Sequence, residues 1–474
     1  MSASPSSGGG TIGAAPSSHR LSTRVCDNCI RHTISLAAAV SDLPSESPES
    51  LVTSHTPTQV GNQSSQGPNI LPEEEAYLAD EYFKSINEAI PLFSEAASLC
   101  SRDVLSTCSS ELVEALLLIT AKLLGFKFAS THFNLDGRID QILSNTSLQE
   151  DTAGDFPSLD LFRKFCLLVF YEFHQFPGQQ AWVRIGKIVR LAYWMGLDRL
   201  DIIQSVSPEW SNVSYADLQN WKLVWWCVYR LDSYANLSSG TPYQVDERLV
   251  NTSFMHGHYQ GLVSTCKLPH DPRGLPDLLL FVKTGSESSL LFSIHLITIT
   301  VLRQFGRAMG MRYLVPHENL TAILLDAEQG DDWTLSWQRV LETCQNIARI
   351  AEKWDSNYTL TVDPALSLIN LTALVFLDIH KKYTDTSNAH LISEIENCEL
   401  LLLLQLEQFS AHWKLPSLLI LSFKSFKESV TGPLSYPHIQ LILSRFESPL
   451  HPRWLQFLSS AQTHLENVIC VHGT

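Results

Sequence analysis

The chain has 474 residues, of which 45% are apolar and only 17% are charged. That balance is typical of a folded protein with a large core and excludes a wholly disordered chain. The 33 basic and 49 acidic residues give a net charge of -16, which repels phosphate backbones at long range. Composition therefore excludes a protein that binds nucleic acid over its whole surface.

Cysteine usage and hydropathy indicate an intracellular protein. Of ten scattered cysteines only Cys26 and Cys29 are closely spaced, and others, such as Cys166 and Cys227, lie among apolar residues. That distribution is typical of reduced thiols in a core and not of a disulfide framework. The N-terminus lacks the apolar core of a secretory signal, and no apolar run is long enough to span a bilayer. We therefore expect no membrane contact.

The N-terminal residues predict a disordered tail. Residues 1–70 are rich in Ser, Pro, Gly and Thr and show little apolar periodicity, so they cannot bury enough surface to offset the entropy of ordering. From 71 to 474 the sequence predicts one large helical domain.

Within the tail, the pair Cys26-x-x-Cys29 could present two thiolates to one tetrahedral zinc ion, but the next cysteine is Cys100. These two residues are the only candidate metal ligands, and they form an incomplete site.

Apolar residues recur every three to four positions through most of the second part of the chain, whereas strand-like alternation is nearly absent. A Phe-Pro-Gly turn at 176–178 joins two of the predicted helices so closely that they should pack as an antiparallel hairpin. The fold class is therefore all-α, a large domain of packed helix hairpins resembling an α-solenoid. The predicted helices cover 111–128, 159–173, 181–195, 218–239, 288–310, 333–354, 364–382, 390–409, 416–428 and 452–470. The leucine run 400–404 is interpreted as part of a core helix covered on two sides, since its apolar residues do not repeat by heptads.

Residues 181–251 carry the most information. The first helix of this stretch should end at Gly196, because glycine adopts the left-handed conformation without strain. The second should begin with Ser214 as its cap and end at Gly240. Because both helices are strongly apolar, we expect three tryptophans to be buried. These are Trp182, Trp225 and Trp226.

An acidic residue, Asp232, interrupts the aromatic helix. A solvated helix position would be the simplest interpretation, but burying an unpaired carboxylate would be costly. We therefore expect Asp232 to make a structural ion pair or amide contact, with Arg190 and Arg199 as candidate partners.

The order and spacing of features in this stretch resemble the middle homology region of fungal zinc-cluster transcription factors, closest to the xylanolytic-activator-like regulatory domains. The pattern reads A-W-x-x-x-G-x-x-x-R-x-A-x-x-x-G-L-D-R, then W-W-x-x-Y-x-L-D, then S-G-x-P-x-x-V-D. The matching residues are Ala181, Trp182, Gly186, Arg190, Ala192, Gly196, Leu197, Asp198, Arg199, Trp225, Trp226, Tyr229, Leu231, Asp232, Ser239, Gly240, Pro242, Val245 and Asp246.

This resemblance implies a nuclear regulator of RNA polymerase II transcription, whose helical domain modulates activity through co-regulators, a family partner or a small-molecule inducer. It also implies zinc and DNA binding, since the family's zinc module begins with a C-x-x-C pair after a basic residue. That module needs four further cysteines within about thirty residues, because six thiolates hold its two zinc ions. Here they are missing, and only Arg31 follows Cys29 where a basic run should stand. We therefore expect this chain to bind neither zinc stoichiometrically nor a specific DNA sequence.

Three explanations of the Cys26 and Cys29 pair remain open. The gene model is truncated or mis-joined after Arg31, or the protein is a family member without the cluster, or the pair is a coincidence in an exposed tail. Genomic DNA just after the Arg31 codon, read for an alternative splice that restores four cysteines, would distinguish them.

The alternatives from other function classes are an α-helical enzyme and a helical scaffold. The sequence contains no G-x-S-x-G, H-E-x-x-H, Walker or dinucleotide-binding motif, so we expect no enzymatic activity. The pair His256-Gly-His258 lacks a neighbouring carboxylate or cysteine and is a poor metal site.

Overall fold

The computed structural model describes residues 70–93, 101–130, 133–145, 157–254, Arg303, 330–384, 387–446, 448–451, 453–461 and Leu465. All of them lie within the unit Gln59–Thr474. Four features predicted from the sequence fall wholly or partly outside this set. They are the tail up to residue 69 with Cys26 and Cys29, the pair His256 and His258, the helix 288–310 apart from Arg303, and the helix 452–470 beyond Ala461 apart from Leu465.

Helix α1, Pro72–Glu81, begins at a proline, which needs no amide partner at a helix start. The Leu71 amide donates to the Glu74 carboxylate over 3.0 Å, which satisfies one free donor of the first turn. The helix continues through a π-helical turn, Tyr82–Ile86, and a last turn, Asn87–Ala89. The buried Asn87 side chain then accepts the amides of Leu92 and Phe93 over 3.2 and 3.1 Å and fixes the exit of the chain.

Three helices follow: α2, Ser101–Ser106; α3, Ser110–Leu124; and α4, Leu135–Asn145. Helix α3 is capped by the Ser109 hydroxyl and ends at Gly125, which has a left-handed φ of 63°. It packs against α1, α4 and the next long helix, because apolar residues occupy most of its circumference.

The predicted hairpin is confirmed. Helix α5, Leu159–Gln175, and helix α6, Gln179–Met195, are joined by three residues and pack on each other. Gly196 ends α6 with a φ of 76°, as predicted. A 3₁₀ turn, Leu197–Arg199, then leads to two short helices, α7, Leu200–Val206, and α8, Pro208–Ser211.

Helix α9, Tyr215–Ser239, lies at the centre of this part of the molecule and packs on both α5 and α6. The Ser214 hydroxyl caps it by accepting the Asp217 amide over 3.1 Å, and Gly240 ends it with a φ of 68°. Both boundaries confirm the prediction. Residues on every side of α9 are buried from Trp221 to Ala235, so the helix is surrounded by other elements.

The C-terminal part contains α10, Gly330–Glu352; α11, Ser367–Tyr383; α12, Ala389–Ser410; α13, Lys414–Ser429; and α14, Tyr436–Arg445. Residues 453–461 are also helical. Helix α11 packs against α10, α12 and α13, and α13 also contacts α5. One interpretation of the sequence is wrong here. Leu402 is buried, but Leu400 and Leu404 are 56% and 45% exposed, because only one side of α12 faces its neighbours.

The all-α fold class is confirmed, since the described residues contain helices and no strand. Consecutive helices pack as hairpins not only in the α5 and α6 pair but also in the α11 and α12 pair and the α12 and α13 pair. Among the described helices, none combines the length and the apolar character required to cross a membrane.

Candidate functional site

The aromatic residues of α9 form the core of the family-like stretch. Trp225 and Trp226 are fully buried, which confirms the prediction for both, whereas Trp182 is only half-buried at the edge of α6. The Trp226 indole donates to the Ser253 carbonyl over 3.1 Å, and its ring stacks on Phe254 with centroids 4.4 Å apart. The segment that follows α9 is thereby held against the helix.

Asp232 is fully buried and accepts hydrogen bonds from several donors. The backbone amides of Gln244 and Val245 each donate to one of its oxygens over 3.1 Å, and the Asn236 side chain donates over 2.6 Å. The turn S-G-x-P-x-x-V-D therefore wraps around this carboxylate. The acid in the pattern is needed because it holds the turn's free amides.

The predicted ion pair of Asp232 is confirmed, but both predicted partners are wrong. The cation is Arg303, whose Nη1 lies 3.1 Å from the carboxylate. Arg190 is exposed on α6, and Arg199 is directed to Asp198 over 3.2 Å. Neither reaches Asp232, because Asp232 is fully buried while both arginine side chains lie at the surface.

Arg303 connects three parts of the site. Its Nε lies 2.9 Å from the Glu247 carboxylate, and its guanidinium lies over the rings of Tyr229 and Tyr243 at 4.7 and 4.2 Å from their centroids. Burial lowers the pKa of Arg303, but Tyr229, Asp232 and Glu247 raise it, so that its pKa lies above the ordinary range. The side chain is therefore a permanent cation between two carboxylates, which is the arrangement that makes a buried charge tolerable.

A second buried network joins α9 to the C-terminal part. Arg230 donates to the Asp363 carboxylate and to the Ala89 carbonyl over 2.6 Å each, and His174 Nε2 lies 3.2 Å from Asp363. Beside them is a cavity of about 10 Å³ lined mainly by apolar side chains. That volume admits about one water molecule, so the cluster connects α9 to the C-terminal part and does not form a ligand pocket.

A larger groove of about 880 Å³ lies between α1, α2 and α3. Its apolar residues include Ile70, Val113 and Leu117, and its acidic residues are Glu75, Glu111 and Glu114. Glu111 pairs with Lys164 of α5, and Glu114 pairs with Arg138 of α4 over 2.6 Å. The volume falls in the range of roughly 300 to 1,000 Å³ that small-molecule sites occupy. The lining of the groove is therefore apolar and acidic, and two of its three carboxylates are already paired.

The described residues contain no group of three or more His, Cys, Asp or Glu side chains that could hold a metal ion. Five cysteines with described positions are free thiols, and burial affects the pKa of three of them as follows. Burial raises the pKa of Cys108 to about 11 and that of Cys227 and Cys344 to about 12. These thiols are therefore protonated at neutral pH and are poor nucleophiles and poor metal ligands.

Sequence reasoning missed Arg303, Glu247 and Asp363. A weak signal existed for two of them. Arg303 is the one charged residue between Ile297 and Phe305, and Asp363 precedes Pro364 at a helix start. Their pairing with α9 could not be read from the sequence, because Arg303 is 71 residues away from Asp232.

Comparison with known families gives a match for the stretch that contains this site. Residues 79–257 match the fungal specific transcription factor domain. The match begins within α1 and ends shortly after the segment held by Trp226, so it includes α9, Asp232 and the turn around it. No solved structure matches the chain.

Two curated relatives are similar to parts of the chain. The transcription factor tazR of Aspergillus terreus is 25% identical over 189 residues, which is 38% of this chain and 29% of the relative. The pigment biosynthesis transcriptional activator pigB of Monascus ruber is 26% identical over 97 residues, 20% of this chain and 18% of the relative. The chain thus matches less than a third of the length of either relative. Residues 79–257 therefore match a fungal specific transcription factor domain, and the rest of the chain lies outside this match.

Proposed function

We propose that this protein is a nuclear regulator of RNA polymerase II transcription in a fungus and has no enzymatic activity. The observation that carries the proposal is the family match at residues 79–257, which coincides with the buried core around α9. Two relatives named as a transcription factor and a transcriptional activator support it. The alternatives are a helical scaffold and a helical enzyme.

The helical domain would regulate through its surface, because its interior is occupied by the two ion-pair networks. Arg303 and Asp363 tie α9 to residues outside the matched stretch, so the regulatory unit is larger than the match. Its partners would be transcriptional co-regulators or another family member. A small-molecule inducer would bind in the groove between α1, α2 and α3, the larger of the two cavities described above.

The family resemblance implies zinc and DNA binding, and we infer that this chain as written has neither property. Cys26 and Cys29 would supply two thiolates, half of one tetrahedral zinc shell. The net charge of -16 also opposes non-specific attraction to DNA. The chain would therefore reach promoters through a partner protein, or through a zinc module restored by a corrected gene model.

A tethering experiment tests the proposal. The full chain is fused to an unrelated DNA-binding module and expressed in fungal cells with a reporter gene under sites for that module. We expect the fusion to change reporter transcription relative to the module alone, and Trp225→Ala, which disrupts the core, to abolish the change. A stable nuclear fusion that leaves the reporter unchanged would contradict the proposal and favour the scaffold. A fluorescent tag on the chain without the module tests nuclear localisation separately.

A further inference from the structure

Helix α6 has an outer face that none of the interactions above uses. Val183, Lys187, Arg190 and Trp194 follow one another at intervals of four, three and four residues, so they lie on one side of the helix. Val183 and Trp194 are 48% and 64% exposed, Arg190 is exposed and Lys187 is half-buried. We call these four residues the α6 stripe. It is about 16 Å long, since a helix rises about 1.5 Å per residue.

The stripe is basic in an acidic protein. Helix α6 contains no Asp or Glu, whereas the whole chain has a net charge of -16. The third cation of the helix, Arg184, is engaged elsewhere, 3.4 Å from Glu172 and donating to the Leu143 carbonyl over 2.7 Å. Among the described residues, Lys187 and Arg190 make no ion pair or side-chain hydrogen bond. Two cations are therefore available to an outside partner.

Trp194 supplies an apolar anchor beside these cations. Among the tryptophan side chains that the structure describes, it alone is exposed, whereas Trp210, Trp225, Trp226, Trp413 and Trp454 are all at most 1% exposed. An exposed indole forgoes the free energy of apolar burial. Tryptophan and arginine are also the side chains that most often dominate the binding energy of protein interfaces.

We propose that the α6 stripe binds an acidic peptide segment of a partner protein that carries a bulky apolar side chain. Carboxylates of the segment pair with Lys187 and Arg190, and its apolar side chain packs on Trp194 and Val183. Charge complementarity selects this partner over nucleic acid. Two cations are too few for a duplex, whose specific binders neutralise roughly six to ten phosphates. The proposal does not depend on a role in transcription, since the stripe is separate from the buried networks and the groove.

The test uses the purified full chain and a fluorescein-labelled synthetic peptide of about twelve residues, enough to cover the stripe as a helix. Acidic residues occupy most of its positions, with leucine and phenylalanine at helical spacing. Fluorescence anisotropy gives the affinity. We expect Lys187→Glu with Arg190→Glu, and separately Trp194→Ala, to weaken binding at least about tenfold. Circular dichroism checks that each variant keeps its helical content.

The chain offers a matched control on α13, where Leu421 is 47% exposed and Lys424 is exposed one turn later. Leu421→Ala with Lys424→Glu should leave the affinity for the peptide unchanged. A peptide with lysine in place of its acidic residues should not bind. If that peptide binds equally well, or if the control variant weakens binding as much as the stripe variants, the proposal is overturned.

Two further measurements separate other occupants of the stripe. A labelled random duplex that binds the chain and is lost on charge reversal, while the acidic peptide does not bind, would make the stripe a nucleic-acid surface. Light scattering that gives a dimer mass for the wild-type chain, and a monomer mass for the stripe variants, would make it a contact between two copies. Either result overturns the proposal, as does the absence of peptide binding by the wild-type chain.

Discussion

At the scale of single residues, the buried charged side chains of α9 are each paired with an opposite charge. Asp232 is fully buried and is enclosed by two backbone amides, an asparagine and Arg303. Such a pair contributes little net stability when formed, but removing one member leaves the other charge in a dry interior. Substitutions at these positions should therefore be far more costly than substitutions of exposed charges.

Asp232→Asn should lower the free energy of unfolding by about 3 to 5 kcal/mol, the usual cost of breaking a buried ion pair. Arg190→Gln is the matched control, because Arg190 is exposed and does not reach Asp232. It should change stability by less than about 0.5 kcal/mol. Chemical denaturation measures both, and an equal cost for the two variants would show that the pair with Arg303 is not structural.

Trp225 belongs to the same scale. It is fully buried and packs edge to face on Tyr193 with centroids 5.8 Å apart. Trp225→Ala should therefore cost about 3 to 5 kcal/mol, as for other core aromatics. A loss below about 1 kcal/mol by denaturation would place the residue at the periphery.

His380 should make stability depend on pH. It is buried and stacks on Trp337 with centroids 3.8 Å apart, and burial lowers the pKa of its imidazole from 6.5 to about 4. The folded chain thus holds His380 neutral at pH values where the unfolded chain protonates it. The contribution of His380 to the free energy of unfolding is fully present above pH 6.5. It is lost as the pH falls towards about 4, and the total loss is about 3 kcal/mol.

Denaturation of the wild type and of His380→Phe between pH 7 and 4 tests this dependence. Phenylalanine keeps a ring against Trp337 but cannot take up a proton, so the variant should lose less stability over that range. His390→Gln is the control, since His390 is exposed and should leave the pH dependence as in the wild type. Identical slopes for all three chains would refute the assignment.

At the scale of elements, the sequence predicted the long helices well and the short ones poorly. Apolar periodicity located α3, α5, α6, α9, α11, α12 and α13 to within a few residues. The predictions did not include α2, α4, α7, α8 or α14. These helices have three turns or fewer, which is too short for a 3.6-residue period to stand out, and α4 contains Gly137.

The helix ends were predictable for a local reason, and the partners of α9 were not. A glycine after an apolar stripe is a signal within one turn, and Gly196 and Gly240 both adopt positive φ as predicted. Gly125 also has positive φ and ends α3, whereas the predicted helix 111–128 extended past it. By contrast, the ion pairs of Asp232 and Arg230 join residues far apart in sequence, and their geometry depends on how the helices pack. For the same reason the exposure of Leu400 and Leu404 could not be anticipated from their apolar neighbours.

Gly196 and Gly125 allow a matched test of helix ends. Both have left-handed φ, but a Cβ at Gly196 would lie 2.2 Å from Ile203 Cδ1, whereas a Cβ at Gly125 would meet nothing within 4 Å. Gly125→Ala should cost about 1 to 2 kcal/mol from backbone strain alone. Gly196→Ala should cost about 1 kcal/mol more because of the clash.

Ile203→Val removes the clashing atom, so this change should recover the additional cost when it is combined with Gly196→Ala. Thermal or chemical denaturation of the four variants completes the cycle. If the valine gives no recovery, the clash with Ile203 is not the cause of the difference.

At the scale of the whole molecule, the net charge and the family match lead to opposite expectations about DNA. The sequence resemblance implies zinc and a DNA site, while the chain is strongly acidic and has only two closely spaced cysteines. We expect the cysteine content of this chain to determine whether it binds zinc, since two thiolates cannot complete a structural zinc site. The two cations of the α6 stripe are too few to offset the net negative charge of the chain.

The purified chain should therefore bind less than one zinc ion per molecule and show no preferred sequence in a pool of random duplexes. Metal analysis and an anisotropy titration measure the two properties. A longer chain from a corrected gene model with four more cysteines would be the positive control. Two zinc ions per chain together with a selected half-site, found for the present sequence, would mean that additional ligands exist.

The ion pairs that Arg303 and Asp363 form with α9 also limit how chimeras of such proteins can be made. A chimera that exchanged only residues 79–257 would separate Asp232 from Arg303 and Arg230 from Asp363. Each separation would cost about 3 to 5 kcal/mol, and the two together would approach the whole stability of a typical domain, about 5 to 15 kcal/mol. A boundary drawn by sequence similarity is thus not a place where this molecule can be cut, and a transplant that works must carry both distant residues with it.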